Sequence, residues 1–265
     1  MSWLWLTGAT GGLGRALAEQ YARQGQSLLL SARDPKALAE LAASLPGQHQ
    51  CLAFDLLDLQ QPEQRQQLLQ ALLPYVQQGI SMAIFNAGQS QRSFVLQTQV
   101  EVEQRLMWIN FHAPAILSRL LLPYLLQQDQ PSQLVYVSSM AGRLGSPGRA
   151  GYSAAKHALT GWVDSLRQEL VGQPVRVRLL SPDFIATGIA KAALTGDGTA
   201  YGKLDGEIAH GLSAQQMAES MCKALASKQD DIRLCGAKVR LADWIYRLNP
   251  EWYHLLLARF YRRDF

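Results

Sequence analysis

Short apolar runs alternate regularly with longer segments of helical periodicity along this chain, and this alternation limits the folds that it can adopt. The apolar runs, which are candidate strands, are residues 3–6, 27–31, 50–54, 81–85, 133–137, 175–180 and 232–235. Helical segments lie between them, over 13–24, from about 34, from about 62, over 99–125 and over 152–171. Strands that are apolar along their whole length are typical of a parallel sheet covered by helices on both faces. The pattern predicts an α/β fold with a doubly wound, Rossmann-like parallel sheet.

Length and composition fit a single domain with an appendage. We expect a Rossmann-like domain over residues 1–238 and a C-terminal amphipathic helical extension over residues 239–265. The 265 residues are 48% hydrophobic and 17% charged, so the chain can bury a large core. The net charge is only +4 and no run of five or six like charges occurs, so a nucleic-acid surface is not expected.

Residues that would mark other classes of protein are sparse. The three cysteines, Cys51, Cys222 and Cys235, and the five histidines lack the spacing of metal ligands, so we expect no metal site. An odd, scattered set of cysteines indicates reduced thiols and a cytoplasmic protein. No stretch reaches the roughly 20 apolar residues of a membrane span.

A glycine-rich turn follows the first apolar run and leads directly into a helix. It reads Thr7-Gly8-Ala9-Thr10-Gly11-Gly12-Leu13-Gly14. Glycines permit a tight turn and a close approach of the backbone to a pyrophosphate, and the helix N-terminus offers free N–H groups. A glycine cluster alone could be only a turn, but the strand-turn-helix context predicts a dinucleotide site.

The end of the second apolar run indicates which dinucleotide binds. An NAD site usually has a carboxylate about 20 residues beyond the glycines, on the ribose hydroxyl. Here Ala32 takes that position, Arg33 follows, and Asp34 is better used as the N-cap of the helix that begins at Pro35. Arg15, in the first turn of the first helix, opposes the helix dipole unless a phosphate lies nearby. We therefore predict NADP(H), with Arg33 and Arg15 near its 2′-phosphate; a solvated arginine is the alternative interpretation of Arg15.

Several motifs in order along residues 3–188 together resemble the short-chain dehydrogenase/reductase family. They are Thr7-Gly8-x-x-x-Gly12-x-Gly14, Asn86-Ala87-Gly88, Ser139 and Tyr152-Ser153-Ala154-Ala155-Lys156. The resemblance implies that the turn, including Leu13, and the segment Asn86, Ala87 and Gly88 lie against the cofactor. It also implies that Asp55 contacts the adenine, and that Pro182, Ile185 and Thr187 belong to the segment that holds the nicotinamide carboxamide.

The same resemblance identifies four catalytic residues. Tyr152 and Lys156 are four residues apart and so share one helix face, where an ammonium would lower the pKa of the phenol. Tyr152 is then the general acid or base, and Ser139 holds the substrate oxygen as charge develops on it. The resemblance implies that Lys156 also bonds the nicotinamide ribose and that Asn110 orders a water that feeds protons through Lys156. Taken singly, Tyr152 and Lys156 would be an ordinary interface tyrosine and a surface lysine, and Asn86 could equally brace the sheet.

Two segments stand apart from this pattern. The family usually has Pro-Gly after the sixth strand, whereas this chain has Pro182-Asp183. Aspartate tolerates unusual backbone angles better than most residues, but it brings a carboxylate near the nicotinamide pocket. Residues 190–211 are rich in Gly, Ala and Thr, which predicts a mobile loop that could cover the substrate.

The C-terminal extension combines apolar and basic residues. The apolar ones, at roughly helical spacing, are Trp244, Ile245, Leu248, Trp252, Leu255, Leu256 and Phe260, and the basic ones are Arg240, Arg247, Arg259, Arg262 and Arg263. Pro250 predicts the start of a second helix. The extension resembles that of the hydroxysteroid-dehydrogenase-like members of the family, which handle apolar substrates. We expect it to pack on its own domain or a partner subunit, with peripheral contact to an anionic membrane as the alternative.

The resulting hypothesis is an NADP(H)-dependent oxidoreductase that moves hydride between the cofactor and a mostly apolar carbonyl or secondary alcohol. The resemblance also implies a homodimer or homotetramer. One alternative is a redox sensor that binds the dinucleotide without turnover, although such a protein would usually lack the tyrosine or the lysine. Another is a sugar-nucleotide epimerase, whose glycine spacing Gly8, Gly11 and Gly14 also fits, although the chain is short for it. A third is a peripheral membrane protein whose catalysis is secondary.

Overall fold

The computed structural model describes residues 2–186, 191–203 and 211–261, without the side chains of 186 and 259–261. Seven parallel strands form one sheet in the order β3-β2-β1-β4-β5-β6-β9. Their bounds are β1 Trp3–Thr7, β2 Ser27–Ala32, β3 His49–Ala53, β4 Ile80–Phe85, β5 Ser132–Val137, β6 Val175–Pro182 and β9 Asp231–Leu234. Two short strands, β7 (Ile185–Ala186) and β8 (Leu212–Ser213), pair separately. The predicted doubly wound, Rossmann-like sheet is therefore confirmed.

Helices cover both faces of the sheet. They are α1 Gly12–Arg23, α2 Pro35–Ser44, α3 Pro62–Gln78, α4 Val100–Met107, α5 Ala113–Leu125, α6 Ala150–Glu169, α7 Ala214–Leu225, α8 Ala237–Leu248 and α9 Pro250–Tyr261. The carboxylate of Asp34 accepts hydrogen bonds from the N–H groups of Lys36 and Ala37, so it caps α2 as predicted. Among the described residues, no helix combines the length and the apolar character needed to cross a membrane.

The predicted single helix over residues 99–125 is interrupted by a π-helical turn at Trp108–His112. Pro114 has no N–H, so it cannot donate to the carbonyl of Asn110 four residues earlier. The N–H of Ala113 donates to the carbonyl of Trp108, five residues earlier, which is the hydrogen bond of a π-helix. The widened turn contains Asn110, so the departure from a regular helix falls at a predicted functional residue.

The core lies on both sides of the sheet because successive residues of a strand point to opposite faces. Leu4 and Leu6 of β1 pack in a cluster that includes residues of α1 and α7, such as Leu17 and Met217. Trp5 belongs to the cluster on the other face, with residues of α3, α5 and α6. This two-sided burial explains why the strands are apolar along their whole length.

The order of the strands sets where a ligand can bind. The chain runs from β1 outward to β3, then crosses to β4 on the other side of β1 and continues outward to β9. The crevice at the carboxyl ends of β1 and β4 is therefore the topological switch point, where ligands bind in open α/β sheets.

The C-terminal extension forms two helices, α8 and α9, divided at Pro250 as predicted. Its apolar outer face does not pack on the described part of its own domain, so packing of that face on a partner subunit stays a prediction. The large side chains with 43–67% of their surface exposed are Leu241, Trp244, Leu248, Trp252, Leu255 and Leu256. The opposite face of the pair turns inward, and its Tyr253 is only 7% exposed. The side chain of Phe260 lies outside the description.

Candidate active site

A large cavity opens at the carboxyl ends of the central strands. Its volume is about 1200 Å³, which exceeds the roughly 300–1,000 Å³ of a site for one small ligand. The predicted site residues that line it are Thr7, Gly8, Gly12, Leu13, Gly14, Arg33, Asp55, Asn86, Ala87, Gly88, Asn110, Ser139, Tyr152, Lys156, Pro182 and Ile185. Arg15 is exposed and is not among the lining residues. Thr187 lies outside the described residues.

The glycine turn depends on the absence of two side chains. Gly8 has φ +67°, and a Cβ there would lie 2.8 Å from the Cα of Ala87. A Cβ on Gly14 would lie 2.0 Å from the carbonyl oxygen of Gly8. Helix α1 then begins with no side-chain N-cap and no acidic residue in its first turn. Its N–H groups are therefore available to an anion, and the turn fits the pyrophosphate of a dinucleotide.

Asn86 braces this turn, as one of our two interpretations predicted. Its Nδ2 donates to the carbonyl oxygens of Thr7 (3.1 Å) and Gly8 (3.3 Å). The hydroxyl of Thr7 in turn accepts from the backbone N–H groups of Asn86 (3.1 Å) and Ala87 (3.2 Å). These bonds join the ends of β1 and β4, so they hold the switch point in shape.

The predicted catalytic residues meet in the middle of the cavity. Tyr152 and Lys156, on successive turns of α6, are 8% and 4% exposed. The Lys156 Nζ lies 5.8 Å from the centre of the Tyr152 ring and donates to the carbonyl oxygen of Val137, at 2.9 Å. Ser139 follows β5, and its Oγ accepts the N–H of Ala141. The sheet edge and one helix face thus bring together residues that the sequence separates.

Asn110 is held in one orientation on the other side of Gly88. Its Nδ2 donates to the carbonyl oxygens of Gln89 and Leu106, both at 2.9 Å, and its Oδ1 accepts the Gln89 N–H at 3.2 Å. A Cβ on Gly88 would lie 2.9 Å from Asn110 Oδ1 and 3.5 Å from Lys156 Nζ. Gly88 is therefore what allows these two polar atoms to approach the same point.

Burial dominates the protonation of the catalytic pair. It raises the pKa of Tyr152 above its ordinary value of 10.0, while hydrogen bonding by Ser139 and the charge of Arg92 act in the opposite direction. Burial also lowers the pKa of Lys156 to about 8. Our expectation that Lys156 would bring the Tyr152 pKa down is thus wrong for the protein alone, because desolvation of the phenolate outweighs the nearby charges.

The lowered pKa of Lys156 predicts a pH dependence of stability. The unfolded lysine titrates near 10.5 and the folded one near 8, so between these values the unfolded chain binds more protons. Stability should therefore rise with pH across this window, by at most about 1.4 kcal/mol per pH unit. Compared with Lys156→Met, the unmodified protein should gain free energy of unfolding between pH 7.5 and 9.5. Urea unfolding at both pH values measures this, Lys36→Met on the exposed surface controls for loss of a lysine, and parallel pH profiles would contradict it.

Sequence reasoning missed Gln91, which is fully buried. Its Oε1 accepts the backbone N–H of Tyr152 at 3.1 Å, and its Nε2 donates to the hydroxyls of Ser93 (3.2 Å) and Thr98 (3.1 Å). Gln91 thereby ties the first turn of α6 to the loop after β4. The bond spans 61 residues of sequence, so no local signal could have revealed it.

The expectation of a mobile loop over residues 190–211 is wrong for the described part, 191–203. Leu194 exchanges backbone hydrogen bonds with Ser90 and Arg92, and the N–H of Gln99 donates to the carbonyl of Gly196. Leu194 is also buried, at 3% exposure. This segment is therefore an ordered cover over the loop that carries Gln91.

Asp183 does not need the conformational freedom of the glycine usual in the family. No non-glycine residue of the described chain has a positive φ, and the Asp183 N–H donates to the carbonyl of Leu234 at 2.9 Å. The turn therefore does not require glycine, and Asp183 lines the cavity as predicted.

Beyond Tyr152 the cavity is mostly apolar, and the C-terminal extension contributes to it. The apolar and aromatic residues at this end are Met140, Ala141, Leu144, Phe184, Ala192, Val239, Ala242, Tyr253 and Leu257. The cations that line this end are Arg149 and, from α8, the exposed Lys238. The extension therefore covers the cavity with one face.

The chain is similar to known dehydrogenases along most of its length. The family model for short chain dehydrogenases matches residues 2–197. A dehydrogenase/reductase SDR family protein 7-like from Anopheles gambiae is 34% identical over 262 residues, covering 96% of this chain and 81% of the relative. Dehydrogenase/reductase SDR family member 7B from Mus musculus is 34% identical over 266 residues, with 98% and 81% covered.

Solved structures agree with this similarity. A short chain dehydrogenase/reductase from Burkholderia phymatum in complex with NAD is 26% identical, with a TM-score of 0.78 over 93% of this chain and 94% of that one. A short chain dehydrogenase from Shigella flexneri complexed with NADP is 25% identical, with a TM-score of 0.74 over 88% and 96%. The match of the family model, the two relatives and the fold lead to one conclusion: the chain belongs to the short-chain dehydrogenase/reductase family of oxidoreductases.

Proposed function

We propose that the protein is an NADP(H)-dependent oxidoreductase that interconverts a mostly apolar carbonyl compound and its secondary alcohol. The observation that carries this proposal is the buried Tyr152 and Lys156 pair beside Ser139, in one cavity with the glycine turn. The glycine turn and its helix would hold the pyrophosphate, and the residues beyond Tyr152 would hold the substrate. A volume of about 1200 Å³ has room for both.

The catalytic roles follow from the chemistry of the side chains. When bound, a nicotinamide cofactor supplies hydride to a carbonyl carbon or takes it from an alcohol carbon. In the direction of reduction, Tyr152 donates its proton to the substrate oxygen while the Ser139 hydroxyl holds that oxygen. The raised pKa of Tyr152 keeps the phenol protonated at neutral pH, which is the form that donates. Lys156 would return a proton to Tyr152 and would itself be reprotonated from a water that Asn110, on the other side of Gly88, would order.

The end of β2 supports NADP(H) over NAD(H). Arg33 lines the cavity there, and its guanidinium lies 4.0 Å from the carboxylate of Asp55. Asp34 also lines the cavity, but its Oδ1 is engaged as the helix cap by the two N–H groups at the start of α2. Of the two arginines predicted to lie near the 2′-phosphate, Arg33 lines the cavity and Arg15 does not. Arg33 is therefore the one of the two that favours NADP(H). Among the structural neighbours, the Shigella protein is complexed with NADP and the Burkholderia protein with NAD.

A screen of carbonyl compounds tests the proposed reaction. Absorbance of NADPH should fall with medium-chain ketones, cyclic ketones and aromatic aldehydes, and the unmodified protein should be compared with Lys156→Met. Tight binding of NADPH without turnover of any compound would favour the redox sensor. Interconversion of sugar nucleotides would favour the epimerase.

Compartment and assembly are part of the same proposal. All three cysteines are free thiols, which supports a reducing, cytoplasmic location. Family resemblance supports a homodimer or homotetramer, which sedimentation velocity would measure. A sedimentation coefficient that corresponds to a single chain would contradict this assembly.

For the outer face of α8 and α9 we propose contact with an anionic membrane surface. Its six exposed apolar side chains include Trp244 and Trp252, and the exposed cations Arg240 and Arg247 lie on the same pair of helices, Arg247 beside the carboxylate of Asp243. Two copies that met through this face would bring their cations together, whereas an anionic lipid surface attracts them.

Sedimentation with vesicles tests this contact. The unmodified protein should bind vesicles that contain phosphatidylserine, should bind less in high salt, and should lose binding when Trp244 and Leu248 become glutamate. The matched control is Val171→Glu, which changes an exposed apolar residue after α6. The opposite result has two parts: the unmodified protein does not bind vesicles, and the Trp244→Glu/Leu248→Glu variant forms smaller assemblies than the unmodified protein. That result would identify a second copy of the chain as the occupant of this face.

A further inference from the structure

Arg149 is a charged residue that the proposed reaction does not use. It is the N-cap residue of α6, three residues before Tyr152, and it lines the cavity. Only 9% of its surface is exposed. A cation is thus enclosed at the end of the cavity where the substrate would bind.

The guanidinium of Arg149 lies over the ring of Phe184, whose centre is 4.9 Å from Cζ. Within the described part of the chain, no carboxylate lies within 4.0 Å of it and its N–H groups make no hydrogen bond, although Asp183 lines the same end. Other enclosed arginines differ. Arg143 pairs with Asp231, and fully buried Arg178 donates to the carbonyl oxygens that end α7.

Enclosing a cation in this way is costly unless a ligand completes its contacts. A buried charge normally has a counter-charge and hydrogen bonds, and an aromatic face replaces only a part of them. The five N–H donors of a guanidinium form a planar fork that matches a carboxylate in two parallel bonds. The donors of Arg149 are therefore best satisfied by an anion that enters the cavity.

The cofactor is not the source of that anion. Its phosphates belong at the glycine turn and at Arg33, at the other end of the cavity, whereas Arg149 lies within one turn of Tyr152. The lining at this end is mostly apolar, with Leu144, Phe184 and Tyr253 among it, and its polar members include Ser146, Asp183 and the exposed Lys238. These surroundings suit a molecule with an apolar body and one acidic group.

We propose that Arg149 binds a carboxylate of the substrate, so that the natural substrate is an apolar oxo acid or its hydroxy acid rather than a neutral ketone or alcohol. This inference rests on the proposed reaction at Tyr152. The carboxylate contact holds the molecule with its carbonyl oxygen toward Tyr152 and Ser139, and selects acids against neutral analogues. Arg149 is thus a specificity residue, and it takes no part in proton transfer.

Kinetics on matched pairs of compounds test this. Medium-chain oxo acids and their methyl esters are compared as substrates, with NADPH. The unmodified protein should prefer the acids by at least about tenfold in kcat/KM, the worth of one charge-assisted contact. In Arg149→Met this preference should vanish through a higher KM for the acids, while the esters react as before. Arg149→Lys should restore a part of it, and Arg119→Met on the exposed face of α5 should change nothing.

Binding measurements separate this inference from the proposed reaction. Calorimetry with the NADP-loaded protein compares decanoate, decanol and decyl phosphate as probes. Decanoate binding that depends on Arg149 supports the carboxylate site even where no oxo compound is turned over. Tighter binding of decyl phosphate than of decanoate would overturn the carboxylate assignment. Equal turnover of acids and esters would overturn the inference and leave the reaction intact. If Arg149→Met does not fold, the same comparisons with Arg149→Gln decide.

Discussion

Replacement of Tyr152 by phenylalanine should lower kcat about 10²–10⁴-fold, the usual contribution of a general acid or base. The ring can still fill its buried position on α6, while the transferable proton is lost. Binding of NADP(H) should change little, because Tyr152→Phe leaves the glycine turn, Arg33 and Lys156 in place. Stopped-flow or steady-state rates and a fluorescence titration with NADPH measure the two effects.

The matched control for this variant is Tyr136→Phe. Tyr136 is also fully buried and its hydroxyl bonds Ser118 at 2.6 Å, but it does not line the cavity. Its loss should lower stability and leave kcat almost unchanged. Near-normal turnover by Tyr152→Phe, or an equal loss in both variants, would remove Tyr152 from its proposed role.

The preference for NADP(H) should reverse in the double variant Ala32→Asp/Arg33→Ala. The unmodified protein should bind NADPH at least about tenfold more tightly than NADH, since a charge-assisted bond to phosphate is worth about 1.5–3 kcal/mol. The new aspartate at the end of β2 would accept the ribose hydroxyl and repel the 2′-phosphate. Together the two changes should alter the ratio of dissociation constants about 100-fold.

Single variants show which arginine is responsible. Arg33→Ala should weaken NADPH binding and spare NADH. Arg15→Ala should weaken it less, because Arg15 does not line the cavity. Arg23→Ala, at the far end of α1, is the control for loss of an exposed arginine, since its side chain is 63% exposed and that of Arg33 is 68%. Equal dissociation constants for NADPH and NADH in the unmodified protein would contradict the assignment.

The sequence predicted the features that depend on neighbours along the chain. Strand periodicity, the glycine turn and the cap at Asp34 each follow from residues within a few positions, so they could be recognised without the fold. The four-residue spacing of Tyr152 and Lys156 is equally local, because α-helical geometry alone brings them to one face. The candidate dinucleotide site and the proposed catalytic pair were therefore accessible from the sequence.

Other features were decided by contacts between distant segments. For residues 191–203 the sequence wrongly favoured a mobile loop, because the hydrogen bonds of Leu194 go to a segment about 100 residues earlier. It also could not foresee that burial would raise the pKa of Tyr152, since desolvation depends on everything packed around the phenol.

Local patterns along the chain were enough to predict the parallel sheet, the candidate site at its switch point and the side chains proposed for proton transfer. The packed fold added the side chains that reach that site from elsewhere: Gln91 on the backbone of Tyr152, the inner face of α8 and α9 over the cavity, and Arg149 enclosed without a carboxylate partner among the described residues. The physical reason is that burial and ion pairing are properties of the packed chain, in which a residue's neighbours are set by the fold rather than by its position in the sequence.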